Sequence, residues 1–326
     1  MKEIALETLI GRAGAAVPLF APTALPRVLP AALALGIASP LLAGSIYVPN
    51  GSFESPATPF VDTRVDFWQK SPKPFWFDEG TLGPWDQLTG VFLNVPPSDP
   101  RYIDNCDGSQ ALFLFASPDV ALFQDYETVH GTNTAPSHAF DARFEVGKSY
   151  TLTVGVIGGG GNMNTGATLR LSLYYRDGAS NRVTVASTIV TNSAALFSNM
   201  THFVDFTVKT PAVRAGDPWA GRHIGIELAS TVDFALAAGY WDIDHVRLTE
   251  TREPVLSAPA FVNGQFQFTL RSEPGVRFEV GYGEDPAQPI ANWSALTLLT
   301  NTTGTAVVTD PAPAASRRFY GVRQAP

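Results

Sequence analysis

The sequence predicts an all-β protein made of two antiparallel β-sandwiches, a large one followed by a small one. Three observations carry this. Hydrophobic residues make up 45% of the 326 and charged residues only 16%, enough apolar material for a packed core and too little charge for a disordered chain. Gly and Pro are abundant, 28 and 26, and they punctuate short runs rich in Thr, Val and Phe. From Gln110 onward those runs alternate with a period of two, and no long amphipathic helical pattern follows residue 45.

Residues 1–45 read as an export signal. Lys2, Arg12 and Arg27 precede the apolar run "VLPAALALGIASPLLAGS", which ends in the small residues Ala43, Gly44 and Ser45. A membrane span is the rival reading. Pro30 and Pro40 interrupt the run, however, and it falls short of the ~20 apolar residues a span needs. The expected location is therefore secreted, cell-surface or periplasmic, with no stable membrane anchor once the signal is removed.

The large sandwich is expected over 46–250. In "SYTLTVGVI", Tyr150, Leu152, Val154 and Val156 share a face; in "ATLRLSLYYRD", Leu169, Leu171, Leu173 and Tyr175 do. "ALFLFA" and "VALFQDY", parted by "SPD", read as a hairpin. "ETREPVLSAPA" breaks the pattern with two prolines, which places a linker at 251–259. A small domain at 260–326 follows, opening with "QFQFTLRSEPGVRFEVGYG" read as a hairpin around Glu273, Pro274 and Gly275.

Several functions are disfavoured. The net charge of −8 and the lack of a Lys/Arg cluster argue against nucleic acid as a partner, and the basic "SRRFYGVR" reads as a solvated strand face. "IGGGGNMNTGA" fits neither G-x-G-x-x-G nor a phosphate loop and joins two strands, so it reads as a flexible loop. No G-x-S-x-G or H-E-x-x-H is present, and the five histidines are scattered. Cys106, the only cysteine, permits no intramolecular disulfide and reads as a small buried filler.

The strongest local signal is "YWDIDHVRLTE". As a regular strand it puts Asp242 and Asp244 on the face carrying Val246 and Leu248, with His245 turned away from Asp244. Two buried carboxylates cost several kcal/mol unless paired. A calcium ion answers this, since it takes six to eight oxygen ligands in irregular geometry. Lys or Arg partners, or exposure at a strand end, answer it too.

"VPNGSFESP", "GKSYTLTVGV" and "YWDIDHVRLTE" together resemble the galactose-binding-like jelly rolls of carbohydrate-binding modules, closest to the branch that contains the Stig (hapalindole-forming) cyclases. The resemblance spans roughly 46–250. It implies a structural calcium tying the first strand to the last, with Glu54 and Asp244 as ligands and backbone oxygens near Ser52; the alternation argument adds Asp242. The closing module, through Trp293 and "RRFYGVR", resembles small fibronectin- or immunoglobulin-like domains and implies a spacer.

The aromatic stretch "FWQKSPKPFWFDEG" and Trp85 remain. Exposed loop aromatics stack on sugar rings, which makes Trp68, Trp76 and Trp85 candidate ligand-binding residues. Loop aromatics also plug the ends of sandwiches, each burying about 150–250 Å². The expected function is a non-catalytic, calcium-stabilised module binding an extracellular polysaccharide or another ligand. A structural surface protein is one alternative. Another is acid-catalysed cyclisation by a carboxyl held neutral through burial, for which Asp78 and Glu79, beside Trp76 and Phe77, are candidates.

Overall fold

The computed structural model describes residues 6–7, 44–129, 134–313 and 317–325. The chain divides into two compact units, one over 43–251 and one formed by 252–326 with the N-terminal residues. Both are all-β, and every strand pairing given below is antiparallel.

In the first unit the alternation expected over 148–156 and 168–176 holds. Tyr150, Leu152, Val154 and Val156 point inward from the strand Lys148–Gly160. Leu169, Leu171, Leu173 and Tyr175 point inward from Thr168–Arg176. Those two strands lie in different sheets. A five-stranded sheet runs in the order Arg182–Thr191, Thr168–Arg176, Gly225–Ser230, Ala121–Gln124, Gln69–Lys70. It faces a sheet in the order Val204–Lys209, Lys148–Gly160, Tyr240–Arg252, Gln110–Phe115, Thr89–Leu93, Val61–Asp62, with Gly44–Ile46 pairing the far half of Tyr240–Arg252. Their inner faces share one apolar core that includes Trp68, Trp85, Trp241 and Ile243. At roughly 25 cal/mol per Å² of apolar surface removed from water, this core dominates the unit's stability.

Both expected hairpins are corrected. Gln110–Phe115 and Ala121–Gln124 belong to opposite sheets, so the turn "SPD" carries the chain from one layer to the other. In the second unit, Gln265–Arg271 lies in a sheet with Val255–Val262 and Thr305–Asp310. Val276–Gly283 pairs instead with Ser294–Asn301 and Phe319–Gln324. Phe266, Phe268, Phe278, Val280 and Tyr320 fill the core of this second sandwich. The expected linker 251–259 is mostly strand, because Tyr240–Arg252 runs to Arg252 and the next strand starts at Val255.

Most of the expected export segment lies outside the described residues. Leu6–Glu7 pairs with Phe319–Tyr320, and Gly44–Ile46 pairs with Leu248–Glu250. Among the described residues no helix is long and apolar enough to cross a membrane. The basic "SRRFYGVR" is spoken for locally: Arg318 pairs with Asp310 and Arg323 with Glu279.

Candidate functional site

The strand Tyr240–Arg252 is not regular. His245 has φ +56°, a left-handed value that a non-glycine residue adopts only where the chain must turn. Trp241 and Ile243 point into the core before it, and Val246 and Leu248 point into the same core after it. The inward set therefore shifts from odd to even numbers across a bulge. Asp242 and Asp244 do share a face, but it is the outer one, opposite Val246 and Leu248. The bulge also swings His245 toward Asp244, Nε2 to Oδ2 3.8 Å, where a regular strand would turn it away. Gly51 makes room for this: its carbonyl accepts from the Val246 N–H at 2.9 Å, and a Cβ there would meet Val246 O at 2.5 Å.

The two carboxyls then meet different surroundings. Asp244 is fully buried, and its Oδ2 accepts the Asp107 N–H at 2.7 Å. Its Oδ1 is buried without a hydrogen-bond partner among the described residues. Burial raises its pKa to about 7 against the opposing pull of the backbone donors at Asp107 and His245. The neighbouring Cys106 thiol is pushed up by the same burial and by the Asp244 charge, which suits an inert filler.

Glu54 also reaches the 106–110 turn. Its Oε1 accepts from the backbone of Ser109 and Gln110, at 2.8 and 2.6 Å, and its Oε2 from the Ser109 hydroxyl at 2.9 Å. Ser52 sits half-buried in the turn before Phe53. The first segment and the last strand are thus joined through hydrogen bonds to one loop. The donor set fits calcium only in part: Asp244 Oδ1 is an open acceptor, whereas Glu54 is already met by three donors. Among the described residues no group of three or more His, Cys, Asp or Glu side chains is placed to hold a metal ion.

Asp242 opens onto a cleft of about 660 Å³ on the outer face of the larger sheet. Register puts Asp242 opposite Phe113 and Tyr240 opposite Phe115. Phe113, Phe115 and Tyr240 form a chain of rings with centroids 6.1 and 6.0 Å apart. Phe60, Phe92 and Met200 complete an apolar wall, and Arg101, paired with Asp99, stands at the rim. Gly160 and Gly161 form a ledge; a Cβ on Gly160 would fall 2.5 Å from the Tyr240 ring, which accounts for that part of the glycine run. The half-buried Asp242 carboxyl makes no hydrogen bond or ion pair with any described residue, and burial alone raises its pKa to about 7.

The tryptophans fall elsewhere. Trp68 and Trp85 are 2% and 5% exposed, and their indole N–H groups donate to Asn50 O and Ser71 O. Neither offers a ring face to a sugar, so both plug the sandwich core. Trp76 is half-buried, donates to Asp119 Oδ2 at 2.9 Å and meets Phe234 edge-on at 4.8 Å. Asp78 and Glu79 are corrected as proton donors. Both are exposed at a short helix, and hydrogen bonds from Thr81 and from the Trp85 backbone respectively lower their pKa values. Sequence reasoning missed the cleft. The signal was present in the strand: Trp241 and Ile243 claim one parity, Val246 and Leu248 the other.

No protein-family model and no curated protein sequence matches the chain. Solved structures do. A Stig cyclase, Fisc, from Fischerella sp. TAU, in complex with an indole derivative, is 22% identical with a TM-score of 0.44, over 65% of this chain and 99% of that one. A cyclase from the same organism is 19% identical with a TM-score of 0.46, over 66% and 100%. The xylan-binding CBM22-1 domain of Paenibacillus barcinonensis Xyn10C is 13% identical with a TM-score of 0.28, over 51% and 83%. The resemblance read in the sequence, to cyclase-like and carbohydrate-binding sandwiches, is thus met among solved structures as a likeness of architecture, and no residue role is carried over from it.

Proposed function

We propose that the large sandwich is a general-acid catalyst for a small, mainly apolar substrate held in the outer cleft, with Asp242 as proton donor. One observation carries this: a carboxyl facing an apolar cleft, with a pKa near 7 and no hydrogen bond or ion pair to any described residue. An ordinary aspartate is ionised roughly a thousand to one at pH 7. Asp242 is poised near half-protonation, where an acid can both hold a proton at working pH and release it.

Proton transfer from Asp242 to an alkene or heteroatom of the substrate leaves a cation. The rings of Phe113, Phe115 and Tyr240 can receive it, because the negative face of an aromatic ring attracts positive charge. After rearrangement or ring closure the aspartate takes a proton back, so no other reactant is consumed.

The test is incubation of the full chain with acid-labile alkenes and an indolyl ketone, read by mass spectrometry. Turnover is expected to fall about 100-fold or more in Asp242→Asn, with the melting temperature kept. Equal turnover by a folded Asp242→Asn variant would overturn the assignment.

A further inference from the structure

The Asp242 cleft has two charge states, and general-acid catalysis starts from the protonated one. With a pKa of about 7, Asp242 is ionised in a growing share of molecules as pH rises past that value. A carboxylate half-buried against apolar side chains is costly unless a cation joins it.

The neighbouring charges are all engaged elsewhere. Arg101, at the rim, donates from Nε and Nη2 to the Asp99 carboxylate at 2.9 and 2.7 Å, so that pair is neutral as a unit. Asp62, beyond Val61, pairs with Arg64, and His202, beyond Thr201, pairs with Asp104 at 2.6 Å. On the same strand, Asp244 turns its Oδ2 to the Asp107 N–H, and the Tyr240 hydroxyl is held neutral by burial and by the Asp242 charge. Of the two strands beside it, Gln110–Phe115 carries no charge, and Lys148, at the far end of Lys148–Gly160, pairs with Glu250. Ionised Asp242 is thus the unpaired charge of the cleft among the described residues.

The walls select the kind of cation. A hard metal ion needs six to eight oxygen ligands. The polar side chains nearby are already committed: Asn94 exchanges two hydrogen bonds with the Ile103 backbone, at 2.9 and 3.1 Å, and the Thr201 hydroxyl donates to Asn199 Oδ1 at 2.6 Å. Aromatic rings stand where further oxygens would be required. Phe113 lies directly across from Asp242, about 4.8 Å away by strand spacing, and Tyr240 shares its face two residues earlier, about 7 Å along. Aromatic rings beside one carboxylate suit a weakly hydrated organic cation.

We propose that the cleft binds a lipophilic ammonium ion, with its nitrogen on the Asp242 carboxylate and its substituents against Phe113, Phe115 and Tyr240. This rests on the same placement of Asp242 as the proposed function, but not on turnover. Such a ligand reproduces the charge pair left after proton transfer, an ionised aspartate opposite a cation, and so competes with substrate. Because it takes the ionised form, its binding below pH 7 releases a proton.

The test is calorimetric titration of the full chain with benzyltrimethylammonium between pH 5 and 9, with neopentylbenzene as its uncharged isostere and potassium as a hard cation. At pH 8 the ammonium is expected to bind at least tenfold more tightly than either. Its affinity should level off above pH 8 and fall about tenfold for each pH unit below 6. Asp242→Asn should abolish that pH dependence and weaken binding tenfold or more, and Phe113→Leu should weaken it severalfold with the melting temperature kept. Equal binding of neopentylbenzene or of potassium, no ammonium binding, or binding unchanged in Asp242→Asn would overturn the proposal. Turnover lost in Asp242→Asn without ammonium binding would sink this inference alone. Asp242-dependent ammonium binding with turnover unchanged in Asp242→Asn would sink the catalytic reading alone.

Discussion

The two outer faces of the large sandwich bury carboxyl groups in opposite ways. On the five-stranded sheet, Asp125 and Glu227 are 3% and 7% exposed, and both are paired. Asp125 takes Arg176 at 2.8 Å and the Tyr174 hydroxyl at 2.5 Å; Glu227 takes Arg170 and Arg182. On the other sheet, Asp242 and Asp244 have no Lys or Arg partner among the described residues, and burial moves both to about pH 7. The lesson is that burial alone does not make a carboxyl reactive. A carboxyl paired with arginine serves as a structural group, whereas isolation against apolar side chains raises its pKa toward neutrality.

That contrast can be broken by substitution. The largest effect is expected at Asp242, where Asn removes the proton and costs about two orders of magnitude or more in turnover. Next is Arg176→Met. It leaves Asp125 buried beside Tyr174 without its cation and should lower unfolding free energy by about 3 kcal/mol or more, read by urea denaturation. The same loss should shrink in Arg176→Met with Asp125→Asn.

A third expectation concerns pH. Asp242 and Asp244 hold a proton more tightly when folded, near pH 7, than the ordinary value of 3.8. Their contribution to stability is therefore fully present below about pH 4 and is lost as pH rises through 7. The melting temperature should decline between those values, and Asp244→Asn should flatten the decline. Asp62 and Asp99, lowered to about 2 by hydrogen bonds from Arg64 and Arg101, act in the opposite sense, and only as pH falls from about 4 to 2.

The smallest effect expected is that of chelation. With Glu54 already met by Ser109 and Gln110, EGTA should move the melting temperature little. A bound calcium at 100 times its Kd would be worth about 2.7 kcal/mol and shift it by several degrees. A shift of that size, lost in Asp244→Ala and Glu54→Ala, would restore the metal clasp.

Much of the fold was legible. Period-two alternation placed Tyr150 to Val156 and Leu169 to Tyr175 correctly, because one face of each strand must be apolar. Strand connectivity was not, since Gly, Pro and Asp serve a hairpin and a crossing between layers equally well; "SPD" and "SEPG" are both crossings. Alternation assumes an unbroken ladder, and the left-handed His245 reverses it, so Asp242 lies on the face opposite Val246 instead of beside it. Trp68 and Trp85 show a second limit. An aromatic in a Pro-rich loop looks the same in sequence whether its ring faces solvent or the core.

The central claim is that Asp242 stays protonated near neutral pH. Titration of the Asp 13Cγ resonances by NMR measures this directly, with the Asp242 signal assigned by its absence in Asp242→Asn. The structure predicts a midpoint near pH 7. A midpoint near 4 would mean an ordinary ionised aspartate in the cleft and would contradict general-acid catalysis there.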